Sequence, residues 1–333
     1  MTSAMEKPVT FVNRNGCRLF GMLYLPARQT GERVGVVISV NAIKYRLGTF
    51  RLHVLLARKL CELGYTVFSF DPEGIGDSEG VFDYKLLSEH YYDIQTGKYD
   101  RDLFDAIDFF SKECAPDKLL LLGLCGGAIS VLMEAAGDRR VDGLMLLNIP
   151  VLLEDLARRG AVDNAAKITS THSAADLLKR KLQRIGQRDF WARLARLQVD
   201  WKEEGRLVAK SVTVLTRRVG SSIAALARPK AAASVLLTQP VSANRLYNMH
   251  FQVAFARAME ARTRMYFLFA ELDPWTWIFK SEFQDLALLP GNAWQGHYDI
   301  EVIGAANHIF SGRDSQQHLF DRIVRWLGTN FPL

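Results

Sequence analysis

Hydrophobic and polar positions along this chain fall into two patterns that take turns. Continuous apolar runs, such as VGVVISV (34–40), YTVFSFD (65–71), KLLLLGL (118–124) and VDGLMLLNIP (141–150), read as strands buried on both faces. Between them, FRLHVLLARKLCELG (50–64), RDLFDAIDFFSKEC (101–114) and GGAISVLMEAAGD (126–138) repeat their apolar residues at helical spacing. Gly64 supplies a helix-ending glycine. Ahead of these, PVTFVNRNG and CRLFGMLYLP predict two strands joined at Asn15-Gly16, a strong hairpin signal. The alternation predicts an α/β protein with a mostly parallel, doubly wound sheet, helices on both faces and an N-terminal antiparallel hairpin.

At Pro150 the alternation stops. From about Val151 to Tyr247 only helical patterns occur. It resumes with RMYFLFAELD (264–273), HYDIEVIGAANH (297–308) and a final helix, DSQQHLFDRIVRWLGTN (314–330). This predicts a core built from residues 1–150 and 248–333, with residues 151–247 inserted as a helical lid.

Charge separates the same two parts. Residues 151–245 carry 18 Lys and Arg against 8 Asp and Glu, while the whole chain is at +6, so the rest is net negative. Such asymmetry points to an anionic partner for the insertion. In DLLKRKLQRIGQRDFWARLARL (176–197) an apolar helical face, which includes Trp191, stands opposite a basic one. The plain reading is a solvated lid helix. The sharper one is a docking surface for an anionic carrier, such as coenzyme A or an acyl carrier protein, or for an anionic membrane surface.

The four cysteines show no metal spacing and no disulfide framework; Cys17, Cys61 and Cys114 read as packing residues. No metal, cofactor or nucleic-acid site is expected. The opening residues lack the apolar core of a signal peptide, and no run reaches membrane-spanning length, so the cytoplasm is the expected compartment.

The remaining cysteine carries the chemistry. Gly123-Leu124-Cys125-Gly126-Gly127 has the form G-x-C-x-G between a strand and a helix, the context of a nucleophile elbow. Small residues two before and two after the nucleophile let strand and helix approach. The helix N-terminus favours a thiolate, and the N–H of Gly126 faces the developing oxyanion. An elbow needs an acid and then a histidine further along. His308, in GAANH after the last strand, has the address of the base. Asp273, in ELDPW after the strand before it, is the candidate acid, against the plainer role of capping the next helix; Glu271 is a weaker competitor.

A second oxyanion donor is expected from the loop after VGVVISV, best guessed as the N–H of Ile43, with Ala42 next. Tyr45 and Arg46 in that loop either bind an anionic substrate group, or Arg46 pairs with a carboxylate in the segment 71–79. Trp275, with Trp277, Phe279 and Phe283, is a candidate lining for an acyl pocket, though core packing explains part of that set. The glycine-rich DPEGIGDSEG (71–80) lacks dinucleotide-binding spacing and reads as a tight turn against the elbow.

These residues resemble an α/β-hydrolase over nearly all of the chain outside the insertion. The stretches KYRLGTFRLHVLLARKLCELGY, FDPEGIGDSEG, LLGLCGGA, NHIFS and QRDFWARL are similar to the cysteine-bearing hydrolases found with bacterial exosortase and exopolysaccharide systems. That family's oxyanion loop begins with two glycines, where this chain has Asn41-Ala42. The resemblance implies a hydrolase or acyltransferase on an ester or thioester, acting through Cys125, His308 and Asp273. The alternative is a catalytically silent hydrolase-fold protein that binds an anionic carrier or assembly partner through its basic insertion.

Overall fold

The structure is a computed structural model that describes residues 5–28, 31–40, 45–153, 248–280 and 297–333. The chain divides into two compact units, residues 1–157 with 244–333 and residues 158–243; all described residues belong to the first.

Eight strands form one sheet: β1 (Met5–Val12), β2 (Arg18–Leu25), β3 (Val34–Ser39), β4 (Thr66–Phe70), β5 (Lys118–Leu124), β6 (Val141–Leu147), β7 (Arg264–Ala270) and β8 (Tyr298–Ile303). Their spatial order is β1-β2-β4-β3-β5-β6-β7-β8. β1 and β2 pair antiparallel, as the Asn15-Gly16 signal predicts, with Gly16 in the left-handed region at φ 81°. β2 pairs antiparallel with β4, and every pairing from β4 to β8 is parallel. β3 and β4 are buried at every position, as their unbroken apolar runs require.

The helices are α1 (Leu52–Glu62), α2 (Leu87–Gln95), α3 (Asp100–Cys114), α4 (Gly126–Ala135), α5 (Met249–Glu260), α6 (Pro274–Phe279) and α7 (Arg313–Asn330). On one face of the sheet, Leu52, Leu56 and Leu60 of α1 and Leu319, Ile323 and Trp326 of α7 pack with strand residues Ile38, Val67, Leu122, Met145 and Leu268 into a continuous core. α3, α4 and α5 pack together away from that cluster. α4 is buried at nine of its ten positions, so its residues are apolar or small on every side apart from buried Ser130 and Glu134. α2 was not foreseen as a separate element; Gln95 at its end donates to the Leu152 carbonyl at 3.1 Å. No helix among the described residues is long and apolar enough to cross a membrane.

Two smaller expectations need correction. Cys17 lies just before β2 and is half-buried, as is Cys114; only Cys61 of the three is fully buried. All four cysteines are free.

Candidate active site

β5 runs straight into α4 with Cys125 as the single residue between them. To turn the chain that sharply, Cys125 adopts φ 56° and ψ −117°, a conformation that costs a non-glycine residue on the order of 1–3 kcal/mol. A Cβ on Gly123 would lie 2.2 Å from the carbonyl carbon and oxygen of Gly127, so no other residue fits at position 123. The Cys125 N–H donates to the Leu147 carbonyl at the end of β6 (2.8 Å), and its own carbonyl accepts from Ala128 and Ile129 in the first turn of α4. Gly126 opens that helix, where backbone N–H groups have no helical partner.

His308 lies five residues beyond β8, and Asp273 three beyond β7. Their side chains meet, His308 Nδ1 to Asp273 Oδ2 at 2.6 Å. Asp273 is 1% exposed, whereas the His308 side chain keeps 34% of its surface. Burial by itself disfavours the imidazolium. Hydrogen bonds to, and negative charge on, Asp273 and Cys125 outweigh it and raise the His308 pKa to about 10. The three residues named from the sequence are thus brought together, with the imidazole between carboxylate and thiol.

The two roles weighed for Asp273 are both filled. While Oδ2 holds the imidazole, Oδ1 accepts the Trp275 N–H (3.2 Å) and caps α6, whose first residue is Pro274. Glu271, the competitor, accepts the Ala305 N–H (2.8 Å), and the Leu272 N–H bonds the Ala306 carbonyl (2.8 Å). Residues 271–273 therefore grip the histidine loop at three successive points.

The charged residue of the loop before α1 has a different partner from substrate. Arg46 forms ion pairs with Asp71, which is fully buried, and with Asp77 (2.7 Å); its N–H also bonds Asp71 Oδ1 at 2.5 Å. Of the two readings of Arg46, this is the pairing with segment 71–79. Tyr45 is exposed at 43%. DPEGIGDSEG does turn tightly, with Gly74 and Gly76 at positive φ, and it is tied to β2 through Glu79 N–H to the Arg18 carbonyl and to the Arg46 loop. Trp275 is half-buried beside Asp273, Lys280 lies over the Trp277 ring at 5.1 Å, and Phe279 is fully buried against Phe267 and Phe269, a core residue and not a pocket wall. Ile43, Ala42, Trp191, Phe283 and the basic stretch 176–197 lie outside the described residues. Among the described residues no cluster of His, Cys, Asp and Glu is arranged to hold a metal ion.

Asn148, immediately after β6, was missed. It is fully buried, donates from Nδ2 to the His308 carbonyl (2.8 Å) and accepts the Ala270 N–H on Oδ1 (2.7 Å). The only sequence signal is a polar residue closing an otherwise apolar strand run, LLNIP.

An eight-stranded sheet with antiparallel first strands, parallel remainder, helices on both faces and a cysteine at the strand-to-helix turn is the α/β-hydrolase fold. Comparison with solved structures agrees. The crystal structure of hypothetical protein PA2218 from Pseudomonas aeruginosa superposes with a TM-score of 0.54 at 17% identity, over 99% of this chain and 95% of that one. The Pyrococcus furiosus esterase Pf2001 gives 0.54 at 10% identity, over 98% and 92%. DcsB in complex with its substrate analogue gives 0.53 at 16%, over 98% and 100%. No family model matches the chain. Among curated proteins, the uncharacterized PA2218 of P. aeruginosa is 29% identical over 145 residues, which is 42% of this chain and 36% of the length of that protein.

Proposed function

We propose that the protein is an acyl-transfer enzyme, a hydrolase or acyltransferase on ester or thioester substrates, that works through an acyl-cysteine on Cys125. One observation carries the reading: the imidazole of His308 is held by buried Asp273 at 2.6 Å and shares its other side with a cysteine at the strained strand-to-helix turn. His308, whose pKa is raised to about 10, takes the Cys125 proton as general base. The sulfur attacks the substrate carbonyl carbon, a C–S bond forms, and the displaced electron pair moves onto oxygen. The N–H of Gly126 receives that oxyanion, and Ile43 is proposed as the second donor. Collapse breaks the bond to the leaving group, which departs with the His308 proton. Water then gives a proton to His308 and attacks the thioester carbon, and the C–S bond breaks to release the acid. An alcohol, amine or thiol in place of water makes the reaction an acyl transfer.

Cysteine suits thioester substrates because exchange between two thioesters is nearly isoenergetic. The basic composition of residues 151–245 favours an acyl group delivered on an anionic phosphopantetheine carrier such as acyl-CoA or an acyl carrier protein.

Intact-mass measurement after incubation with an activated aryl ester and with an acyl-CoA panel tests the reading. The expected result is a single acyl adduct located on Cys125 by peptide mass, absent in Cys125→Ala, with a KM for acyl-CoA, but not for the aryl ester, that rises with salt. Wild-type protein that forms no adduct and turns over neither substrate overturns the enzyme reading and leaves the carrier-binding alternative. A KM for acyl-CoA that ignores salt removes the carrier.

A further inference from the structure

We propose that Asn148 is a positioning residue that sets the alignment of Cys125, Asp273 and His308, an inference that rests on the acyl-transfer reading. Strand β6 contributes no reacting group, yet its last residue and the one that follows it reach the nucleophile turn, the end of β7 and the histidine loop. The carbonyl of Leu147 accepts the N–H of Cys125 (2.8 Å) and so fixes the nucleophile turn. The next residue, Asn148, has φ 46°, and its N–H donates to the Leu268 carbonyl on β7 (2.9 Å). Its side chain divides between the other two loops. Oδ1 takes the N–H of Ala270, the residue whose carbonyl in turn accepts the Asp273 N–H (3.0 Å). Nδ2 donates to the backbone carbonyl of His308 itself (2.8 Å). One dipeptide thereby measures the distances among nucleophile, acid and base.

The residue type follows from the geometry. The left-handed backbone at 148 is one that asparagine tolerates better than most side chains. The two contacts need one donor and one acceptor a few bonds apart, which an amide has and a carboxylate or aliphatic chain of the same size lacks. The site is fully buried, so water cannot replace a lost bond without rearrangement. Misplacement of a reacting group by about 1 Å costs on the order of 100-fold in rate.

Two variants separate the contacts. Asn148→Gly keeps the left-handed backbone and removes both side-chain bonds. Asn148→Asp keeps the acceptor for Ala270 and loses the donor to His308. Iodoacetamide alkylation of each cysteine is followed by peptide mass from acid to alkaline pH on protein that circular dichroism shows to be folded, together with kcat and KM for an aryl thioester. In wild type, Cys125 is expected to be alkylated faster than Cys17, Cys61 and Cys114 at mildly acid pH. In Asn148→Gly the acid-side rate is expected to fall by about tenfold or more, kcat with it, and KM to stay within about threefold. Asn148→Asp is expected to move both in the same direction, and carries the test if the glycine variant does not fold. A folded variant with the wild-type pH profile and kcat, whatever its melting temperature, overturns the inference and leaves Asn148 a packing residue. Wild-type protein whose Cys125 is alkylated no faster than the other cysteines and which forms no acyl adduct overturns the acyl-transfer reading itself.

Discussion

The carboxylate of Asp273 does two things with two oxygens, and substitution separates them. Asn at this position keeps an oxygen for the Trp275 N–H but loses the anionic acceptor beside His308. Asp273→Asn is therefore expected to lower the rate of Cys125 acylation by about 10²- to 10⁴-fold, and to lose part of the stability that the raised His308 pKa supplies below about pH 10 while it keeps the α6 cap. Asp273→Ala loses the helix cap as well, at a further cost of about 1 kcal/mol. Single-turnover acylation and thermal melts on the same samples check both. Cys125 itself sits in a conformation that sequence motifs imply but do not measure. Its φ of 56° is maintained by the Leu147 hydrogen bond and by the absence of any side chain on Gly123.

Between elements, the joins that build the site are polar while the rest of the sheet is apolar. The loop leading into α1 is anchored to the end of β4 by Arg46 and Asp71, and the β4–α2 loop folds back on the same carboxylate through the Asp77 N–H (3.2 Å). Asp71 is fully buried, and burial raises its pKa despite the opposing pull of Arg46. Removing only the arginine leaves that carboxyl stranded. Arg46→Ala is expected to destabilise the protein by about 3 kcal/mol, and the double variant Arg46→Ala/Asp71→Asn to recover a substantial part. Urea denaturation measures both; a double variant no better than the single one would show that the pair is a spectator. Asp71 is thereby a structural ligand of the loop expected to supply the second oxyanion donor, which is why the free arginine imagined for substrate is not available.

At the scale of the whole molecule, stability is expected to fall as pH rises from mildly acid to mildly alkaline. Burial raises the Glu134 pKa to about 8, helped by the negative charges of Asp100 and Asp138 against the pull of Arg140 and Arg14; burial alone raises Asp100 to about 7. In the unfolded chain both ionise near 4. The folded state therefore holds extra protons between these values, so its advantage is full below about pH 4 and declines up to about pH 8. His308 acts over a higher window: its raised pKa stabilises the folded state below about 6.5, and that contribution is lost as pH rises through about 10. Glu134→Gln isolates the carboxyl term. Its melting temperature is expected to exceed wild type at pH 8.5 and to match it at pH 4.5. Equal melting temperatures at both pH values would show that Glu134 ionises normally in the folded protein.

The succession of the eight strands, and α1, α3, α4 and α7 with them, was legible in the sequence because burial is written in local periods: unbroken apolar runs for the interior strands and three-to-four-residue spacing for α1 and α3. The strand-to-helix turn at Cys125 was legible because Gly123 is forced by sterics against the Gly127 backbone, and the Asp273–His308 contact because each residue follows the end of a strand. What local pattern did not hold was the choice of partner. Arg46 meets Asp71 across 25 residues, Asp273 meets His308 across 35, and Asn148 reaches the His308 carbonyl across 160. Hydrogen bonds between such distant positions exist only once the sheet order β4-β3-β5-β6-β7-β8 brings the strand ends side by side. The sequence by itself named which groups could carry the chemistry; only the tertiary structure decided that Asp273 divides its two oxygens, that Arg46 is bound to Asp71, and that Asn148 is bonded to the His308 carbonyl.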